Sequence, residues 1–288
     1  MAPFDAIART SLLTAALRAK ETERPDRLYA DPFAARLVGA IGGDLLGQVA
    51  DATRPHRAEP GQKVPSTFDF NAIRTRYFDD LLLTQVKDSA YPQVVMVAAG
   101  MDTRAFRLPW PRPIEFFELD RPGVLEAKES VLGDEPVHPG VTRRLVGVDL
   151  LGPDWTDALL AAGYRPDQPS LWLLEGLLYY LTEDQTRQLV SRVAELTAPG
   201  SRIAADLVSA TTLTAPAVVP LLEVFERLGC PWLSGHNEPE ALFIEHGIEA
   251  EVVQPGEEAA HYGRWADPVH PRHVLDVERV FLVNGVRK

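Results

Sequence analysis

Four residues that could contact a ligand stand at or just after the ends of apolar runs: Gly100, Asp120, Asp149 and Glu175. In an open parallel sheet, the carboxyl ends of the strands form the edge where ligands bind, so we expect these residues to lie along one edge. The glycine would leave backbone N–H groups open to a ligand beside a helix start. Acidic residues collected at such an edge indicate a binding site.

The spacing of these residues indicates a pocket for adenosine. Asp120 follows Gly100 by 20 residues, where a carboxylate can accept hydrogen bonds from both ribose hydroxyls. Asp149 could accept a hydrogen bond from the adenine amino group while Leu150 packs against the ring. The dinucleotide fingerprint G-x-G-x-x-G is absent, because the turn reads AAGMDT over residues 98–103. The missing glycines disfavour a nicotinamide dinucleotide and favour a nucleoside without phosphates.

Structural roles remain open for the same residue types. A carboxylate at a strand end also serves as a helix N-cap or as an exposed loop acid. Two arginines, Arg74 and Arg76, could be ordinary ion-paired residues of a helix. Asp102 and Arg104 could be a cap and its ion-pair partner or a pair of ligand contacts.

The apolar runs predict a mostly parallel sheet covered by helices, which is an α/β fold. The runs are short and continuous, as in strands buried on both faces, and stretches of helical period separate them. The predicted strands are Val94–Ala99, Ile114–Asp120, Leu145–Asp149, Leu171–Glu175, Ile203–Leu207, Glu249–Val253 and Val277–Val283. A capping box of Thr182 and Gln185 predicts the start of one connecting helix.

Helical segments flank the predicted sheet and could cover its ligand edge. Residues 1–90 contain no convincing strand and are interpreted as an N-terminal helical cap, with one helix over Phe33–Ile41 and others around Leu12 and Ile73. Residues 91–288 would form the sheet domain. Within it, residues from about 209 to 248 begin with a Thr- and Pro-rich stretch, lead into two short helices, and are interpreted as a covering insertion.

Composition and charge exclude several classes of protein. Of the 288 residues, 45% are hydrophobic and 24% are charged, which is typical of a folded globular protein. The net charge of −12 disfavours nucleic acid as a partner. One cysteine, Cys230, excludes a disulfide scaffold, and no run of about 18 apolar residues predicts a membrane helix. We therefore expect a cytoplasmic location.

The pair His270 and His273 lacks an acidic or cysteine partner nearby, so no metal site is expected.

Several unusual strings in fixed order resemble the leucine carboxyl methyltransferase family. They are RTRYFDD at 74–80, VMVAAGMDTRAFRL at 95–108, FELDRPGVLEAK at 117–128 and LLEGLLYYL at 173–181. Within the family, the chain is most similar to bacterial S-adenosylmethionine-dependent O-methyltransferases that include polyketide carboxyl methylases. The resemblance extends from about Ala8 to Val208 and is thin beyond it. Many relatives have Gly-Ala-Gly where this chain has AAG at 98–100.

The resemblance implies a Rossmann-like class I methyltransferase sheet of seven strands whose last hairpin is antiparallel. It implies S-adenosylmethionine as the cofactor, with roles for the matching residues of this chain. Arg74 would pair with the methionine carboxylate, with Arg76 as a neighbouring candidate, and Glu175 would face the methionine amino group. Gly100 would lie under the methionine portion. Asp120 would bind the ribose, and Asp149 and Leu150 would hold the adenine. Tyr180 would contact the methyl acceptor.

The acceptor that this resemblance implies is a small molecule. A carboxylate is ionised at neutral pH and needs no general base, whereas a phenol with a pKa near 10 needs one, for which His236 and His261 are candidates. We expect a carboxylate and keep phenolic hydroxyl methylation as the alternative. Two further alternatives are a non-catalytic S-adenosylmethionine-binding protein and an NAD-dependent oxidoreductase.

Overall fold

Seven strands form one sheet in the computed structural model, which describes residues 6–41, 67–89, 91–266 and 268–288. The strands are β1 (Gln93–Val97), β2 (Ile114–Asp120), β3 (Val141–Gly147), β4 (Ser170–Leu174), β5 (Arg202–Val208), β6 (Ile248–Val253) and β7 (Val280–Arg287). Their order across the sheet is β3-β2-β1-β4-β5-β7-β6. β1 to β5 pair in parallel, and β7 lies antiparallel between β5 and β6. The prediction of a mostly parallel sheet with an antiparallel terminal hairpin is confirmed.

The strand predictions are accurate at the centre of the sheet and weaker at its edge and in the final hairpin. β2 has the predicted bounds, and the other central strands differ by one or two residues. β3 runs over Val141–Gly147 and not over Leu145–Asp149, because this edge strand has an exposed side and Val141 is followed by three polar residues, TRR at 142–144. β7 begins at Val280, three residues after the predicted start.

Helices cover both faces of the sheet. The described helices are α1 (Ala6–Glu23), α2 (Ala34–Ile41), α3 (Thr67–Ser89), α4 (Arg104–Arg107), α5 (Pro122–Leu132), α6 (Trp155–Ala161), α7 (Glu183–Leu196), α8 (Val219–Arg227) and α9 (Pro239–Ile244). Short 3₁₀ turns occupy Leu178–Tyr180, Ala210–Leu213 and Glu258–Ala260. No helix in the described ranges is long and apolar enough to cross a membrane.

The start of α7 confirms the predicted capping box. The Thr182 hydroxyl accepts the Gln185 backbone N–H at 3.3 Å, and the Gln185 side chain accepts the Thr182 backbone N–H at 2.9 Å. Two of the N–H groups that a helix start leaves unpaired are thereby satisfied. The capped helix buries Leu189 and Val193 against the sheet.

The central strand β1 divides its side chains between two hydrophobic cores. Val94 and Met96 belong to a cluster that includes residues of α1, α2 and α3, whereas Val95 and Val97 pack on the opposite face with α7. Such burial on both faces explains the continuous apolar run of β1. The boundary near residue 90 stays a prediction, and the first hydrophobic cluster spans both sides of it.

The interpreted insertion at about 209–248 separates into two parts in the structure. Its first part, which includes α8, lies over the carboxyl edge of the sheet. Its second part does not, because Leu242 and Phe243 of α9 are buried in the core that contains Val95 and Val97. The connection between β6 and β7, residues 254–279, instead contributes to the cover, which the sequence did not predict.

Candidate functional site

A cavity of about 1250 Å³ lies at the carboxyl ends of the central strands. Single-ligand pockets typically measure about 300–1,000 Å³, so this cavity has room for more than one small molecule. Seven of the predicted site residues line it: Arg74, Gly100, Asp120, Asp149, Leu150, Glu175 and Tyr180. The structure therefore brings together residues that the sequence separates by more than 100 positions.

The ends of β1 and β2 are joined by the Asp120 carboxylate. Its Oδ2 accepts the Gly100 backbone N–H at 2.7 Å, and its Oδ1 accepts the Arg121 backbone N–H at 2.7 Å. Each carboxylate oxygen can accept more than one hydrogen bond, so both oxygens retain capacity for donors on a ligand. Burial raises the pKa of Asp120 above its ordinary value.

The turn after β1 has a backbone conformation that favours glycine at two positions. Gly100 has a φ of +49°, and a Cβ there would approach Cβ of Ser11 on α1 to 2.8 Å. Glycine is thus required at this position by the close approach of α1. Ala98 has a φ of +56°, a conformation that costs an L-residue about 1–2 kcal/mol.

Asp149 and Leu150 lie beyond the end of β3 at the rim of the cavity. Asp149 is exposed and its Oδ1 accepts the Leu151 backbone N–H at 3.0 Å, so within the described residues the hydrogen bonds given for this carboxylate use one oxygen. Leu150 is half-buried and packs against the hydrophobic core that contains α7.

Arg74, on α3, is held between two carboxylates. Its Nη1 donates to Asp206 Oδ2 at 2.8 Å and to the Tyr179 hydroxyl at 3.3 Å, and its Nε lies 3.0 Å from Glu175 Oε1. Asp206 Oδ1 in turn accepts the Gly176 backbone N–H at 2.6 Å. Burial raises the pKa of Asp206, although the charge of Arg74 opposes this shift. No role for Asp206 was predicted; its only signal in the sequence was an acidic residue inside an apolar strand.

Arg104 connects Glu175 to a second set of carboxylates. Its Nη1 lies 2.8 Å from Glu175 Oε2 and donates to Asp102 Oδ2 at 2.5 Å, while its Nε donates to Asp79 Oδ1 at 2.7 Å. Burial acts to raise the pKa of Asp102, but the charge of Arg104 overcomes it and the net shift is downward. Of the two alternatives for Asp102 and Arg104, the structure shows the ion pair. Both side chains also line the cavity.

Some buried polar atoms of the lining lack a hydrogen-bond partner in the part of the chain that the structure describes. Among them are Oδ1 of Asn71, whose residue is only 3% exposed, and Nη2 of Arg104. One is a hydrogen-bond acceptor and the other a charged donor, and buried groups of this kind are normally paired. An amino-acid moiety carries one ammonium donor and one carboxylate acceptor, which is the complement of these two atoms. These two atoms thus fit the methionine portion of S-adenosylmethionine.

Arg76 does not line the cavity, contrary to its place among the predicted cofactor contacts. Its Nε donates to Asp80 Oδ2 and its Nη1 donates to the Leu28 carbonyl, both at 2.8 Å. Residues two apart on a helix face different directions, so Arg74 and Arg76 could not both point into one site.

The histidines proposed as bases lie outside the lining. Neither His236 nor His261 is among the residues that form the cavity, and burial lowers the pKa of His236. The exposed His270, from the connection between β6 and β7, does line it. Among the described residues, no group of three His, Cys, Asp or Glu side chains could hold a metal ion.

One end of the cavity is aromatic. Tyr179 and Tyr180, in the 3₁₀ turn after β4, contact each other and two rings from the insertion, Phe225 on α8 and Trp232 beyond it. Burial raises the pKa of the Tyr180 hydroxyl, so this phenol is protonated at neutral pH. Tyr180 was identified from the sequence, whereas Phe225 and Trp232 were missed because they belong to the part of the chain where the resemblance is thin.

The sequence and the fold are similar to those of known proteins. Residues 11–194 match the family model described as leucine carboxyl methyltransferase. A protein of Parafrankia sp. that carries the name S-adenosyl-L-methionine-dependent methyltransferase is 43% identical over 198 residues, which are 69% of this chain and 62% of the relative. A Mycobacterium avium protein with the same name is 37% identical over 258 residues, which are 87% of this chain and 78% of the relative.

Two solved structures are similar in fold at low sequence identity. A DUF574 family protein from Streptomyces avermitilis aligns with a TM-score of 0.61 at 17% identity, covering 94% of this chain and 99% of that chain. A protein from Thermobifida fusca that is described as a methyltransferase aligns with a TM-score of 0.57 at 20% identity, covering 93% of this chain and 96% of that chain. Together with the strand order, these similarities confirm the Rossmann-like class I methyltransferase fold.

Proposed function

This chain belongs to the leucine carboxyl methyltransferase family, and we propose that it is an S-adenosylmethionine-dependent O-methyltransferase that esterifies a carboxylate of a small molecule. The observation that supports this proposal most directly is the polar end of the cavity. There the Asp120 carboxylate, the Asn71 and Arg104 atoms that have no hydrogen-bond partner among the described residues, and the ion-paired Glu175 offer partners for a ribose and an amino-acid moiety in one lining.

In the proposed complex, S-adenosylmethionine supplies a methyl group on a positively charged sulfur. Asp120 would accept hydrogen bonds from the ribose hydroxyls, with its orientation fixed by the Gly100 and Arg121 N–H groups. Asp149 and Leu150 would hold the adenine at the rim. Glu175 would face the ammonium group, and Arg74 and Arg104 would provide positive charge toward the methionine carboxylate.

The aromatic end of the cavity is compatible with a carboxylate acceptor, because such an acceptor needs no general base. A carboxylic acid has a pKa near 4 in water and is ionised at neutral pH, so the protein needs only to orient it and exclude water. The protonated Tyr180 hydroxyl can donate a hydrogen bond to an acceptor oxygen but cannot remove a proton. Catalysis would then come from positioning, with α1, α3, α8 and the connection between β6 and β7 forming the cover.

Phenolic methylation is the second candidate function, and His270 is the observation that favours it. A phenol with a pKa near 10 needs a base, and imidazole is the side chain that most often serves as a general base near neutral pH. His270 stands in the same lining as Tyr180. His270→Gln should abolish turnover of a phenolic acceptor and leave turnover of a carboxylate acceptor nearly unchanged.

The proposed function is tested by calorimetric titration with S-adenosylmethionine, S-adenosylhomocysteine and NAD, followed by an acceptor screen read by mass spectrometry. We expect micromolar binding of the first two compounds, no binding of NAD, and a methyl ester as product. Binding without turnover of any acceptor would support the non-catalytic alternative. Binding of NAD alone would support the oxidoreductase alternative.

A further inference from the structure

We propose that Tyr180 and Trp232, with Phe225 packed behind them, hold the body of the methyl acceptor, and that this body is a flat aromatic ring system. This inference rests on the proposed function and assigns the acceptor end of the same cavity. All three side chains line the cavity. They come from two parts of the chain, the 3₁₀ turn after β4 and the insertion before β6.

The three rings and Tyr179 form a closed circuit of contacts. The centroid of Trp232 lies 4.6 Å from that of Tyr179 and 5.5 Å from that of Phe225. Tyr180 completes the circuit at 4.8 Å from Tyr179 and 6.1 Å from Phe225. Each ring is thereby fixed by two others. A rigid aromatic surface favours a ligand with a matching π face, because offset and edge-to-face ring contacts add to the free energy of burial.

Burial shows which rings form the surface and which support it. Tyr179 and Phe225 are 7% and 5% exposed, whereas Tyr180 and Trp232 are half-buried and retain accessible area. Behind them, Leu13 and Leu17 of α1 pack with Val224 and Cys230 as a buried hydrophobic cluster. The accessible surface of the aromatic end therefore belongs to Tyr180 and Trp232, and a buried hydrophobic cluster supports these two rings.

The charges near these rings are already matched within the protein. Arg74 contacts Tyr179, Asp206 and Glu175, and in the proposed complex its further partner is the methionine carboxylate of the cofactor. A charged acceptor body, such as a peptide with ionised side chains, would have to leave water without gaining an ion pair at this end. An uncharged aromatic body has no such cost, and its carboxylate can extend toward the polar end.

The experiment measures acceptor binding to protein saturated with S-adenosylhomocysteine, so its readout does not require turnover. The probes are 2-naphthoic acid and decanoic acid, two monocarboxylic acids of similar carbon count that differ in aromaticity. We expect 2-naphthoic acid to bind about three- to tenfold more tightly than decanoic acid, because ring contacts add to the free energy of binding.

Two substitutions at one position separate aromaticity from apolar bulk. Trp232→Phe should keep 2-naphthoic acid affinity within about threefold, whereas Trp232→Leu should weaken it by about tenfold. Leu233→Ala is the matched control, because Leu233 is adjacent, 49% exposed and outside the cavity lining. All variants should bind S-adenosylhomocysteine with unchanged affinity, which also verifies their folding.

The outcomes distinguish this inference from the proposed function. The aromatic subsite would be overturned by equal losses of 2-naphthoic acid affinity in Trp232→Leu and Trp232→Phe, by tighter binding of decanoic acid, or by no binding of either acid. In each of these cases, binding of S-adenosylhomocysteine would still support the methyltransferase. Failure of the wild-type protein to bind S-adenosylhomocysteine would instead overturn the proposed function.

Discussion

Replacing Asp120 by alanine is expected to weaken S-adenosylhomocysteine binding by at least tenfold. In the proposed complex this carboxylate accepts hydrogen bonds from the ribose, and hydrogen bonds to a charged group contribute about 1.5–3 kcal/mol. Since about 1.4 kcal/mol corresponds to a factor of ten, the expected loss is about 10- to 150-fold. The same substitution leaves the Gly100 and Arg121 N–H groups without their acceptor, so the turn after β1 should also loosen.

Asp120→Asn should weaken S-adenosylhomocysteine binding less than Asp120→Ala does, and the hydrogen bonds of the carboxylate give the reason. Both carboxylate oxygens face a backbone N–H, at 2.7 Å in each case. An amide has one oxygen and one NH₂ group, so it can satisfy only one of the two N–H groups and turns a donor toward the other. We expect affinity between that of the wild type and that of the alanine variant.

Calorimetry on folded protein measures these affinities, and Asp167→Ala serves as the control because Asp167 is exposed and outside the cavity. Circular dichroism and thermal unfolding verify that each variant is folded. Unchanged affinity in a folded Asp120→Ala protein would refute the assignment of Asp120 to the ribose.

The pH dependence of binding provides a second check on the same residue. Burial raises the pKa of Asp120, so in the free protein it becomes protonated at a higher pH than an ordinary aspartate with a pKa near 3.9. Only the ionised form leaves both oxygens free to accept hydrogen bonds. Affinity should therefore fall as the pH is lowered through this raised pKa, and the alanine variant should lose that part of the dependence.

Three further predictions concern the surroundings of the site. Arg74→Ala should weaken S-adenosylhomocysteine binding at least tenfold but leave adenosine binding nearly unchanged in calorimetry, because only the former carries a carboxylate; equal losses would contradict this role. Lys128→Met should lower the free energy of unfolding in urea by about 1–3 kcal/mol, because it removes a fully buried partner 2.9 Å from Glu118 and leaves that carboxylate with Arg143, and a smaller loss in Lys128→Met/Glu118→Gln would confirm the cause. Ala98→Gly should raise the free energy of unfolding by about 0.5–1 kcal/mol, because glycine tolerates a φ of +56°, and destabilisation would argue against strain there.

The strands that could be predicted from the sequence are those whose burial is uniform. β1, β2, β4 and β5 lie inside the sheet and are almost entirely buried, so most of their side chains are apolar and each run is visible without knowing its neighbours. The edge strand β3 exposes Thr142 and Arg144, and only its last residues resembled a strand. The residues that end the inner strands were correspondingly easy to locate.

The partners of the site residues could not be predicted in the same way. Arg74 and Asp206 are 132 positions apart, and their 2.8 Å contact depends on where α3 lies relative to β5. Arg76 carries the same charge two residues away, yet the direction of the helix turns it toward Asp80. The spacing of the two arginines in the sequence does not show which of them faces the cavity, because this depends on the position and direction of α3.

Local sequence was sufficient to identify the order of strands and helices along the chain, the turn at Gly100 and the acidic residues at the sheet edge, because each depends on local backbone preference and on the periodicity of burial. The pairing of charges and the contacts between aromatic rings became known only from the folded arrangement. Tyr180 and Phe225 are 45 positions apart, on segments with no shared periodicity, and their contact follows from packing α8 and α1 over the end of β4. Contacts of this kind are set by the three-dimensional path of the chain, which local sequence does not encode.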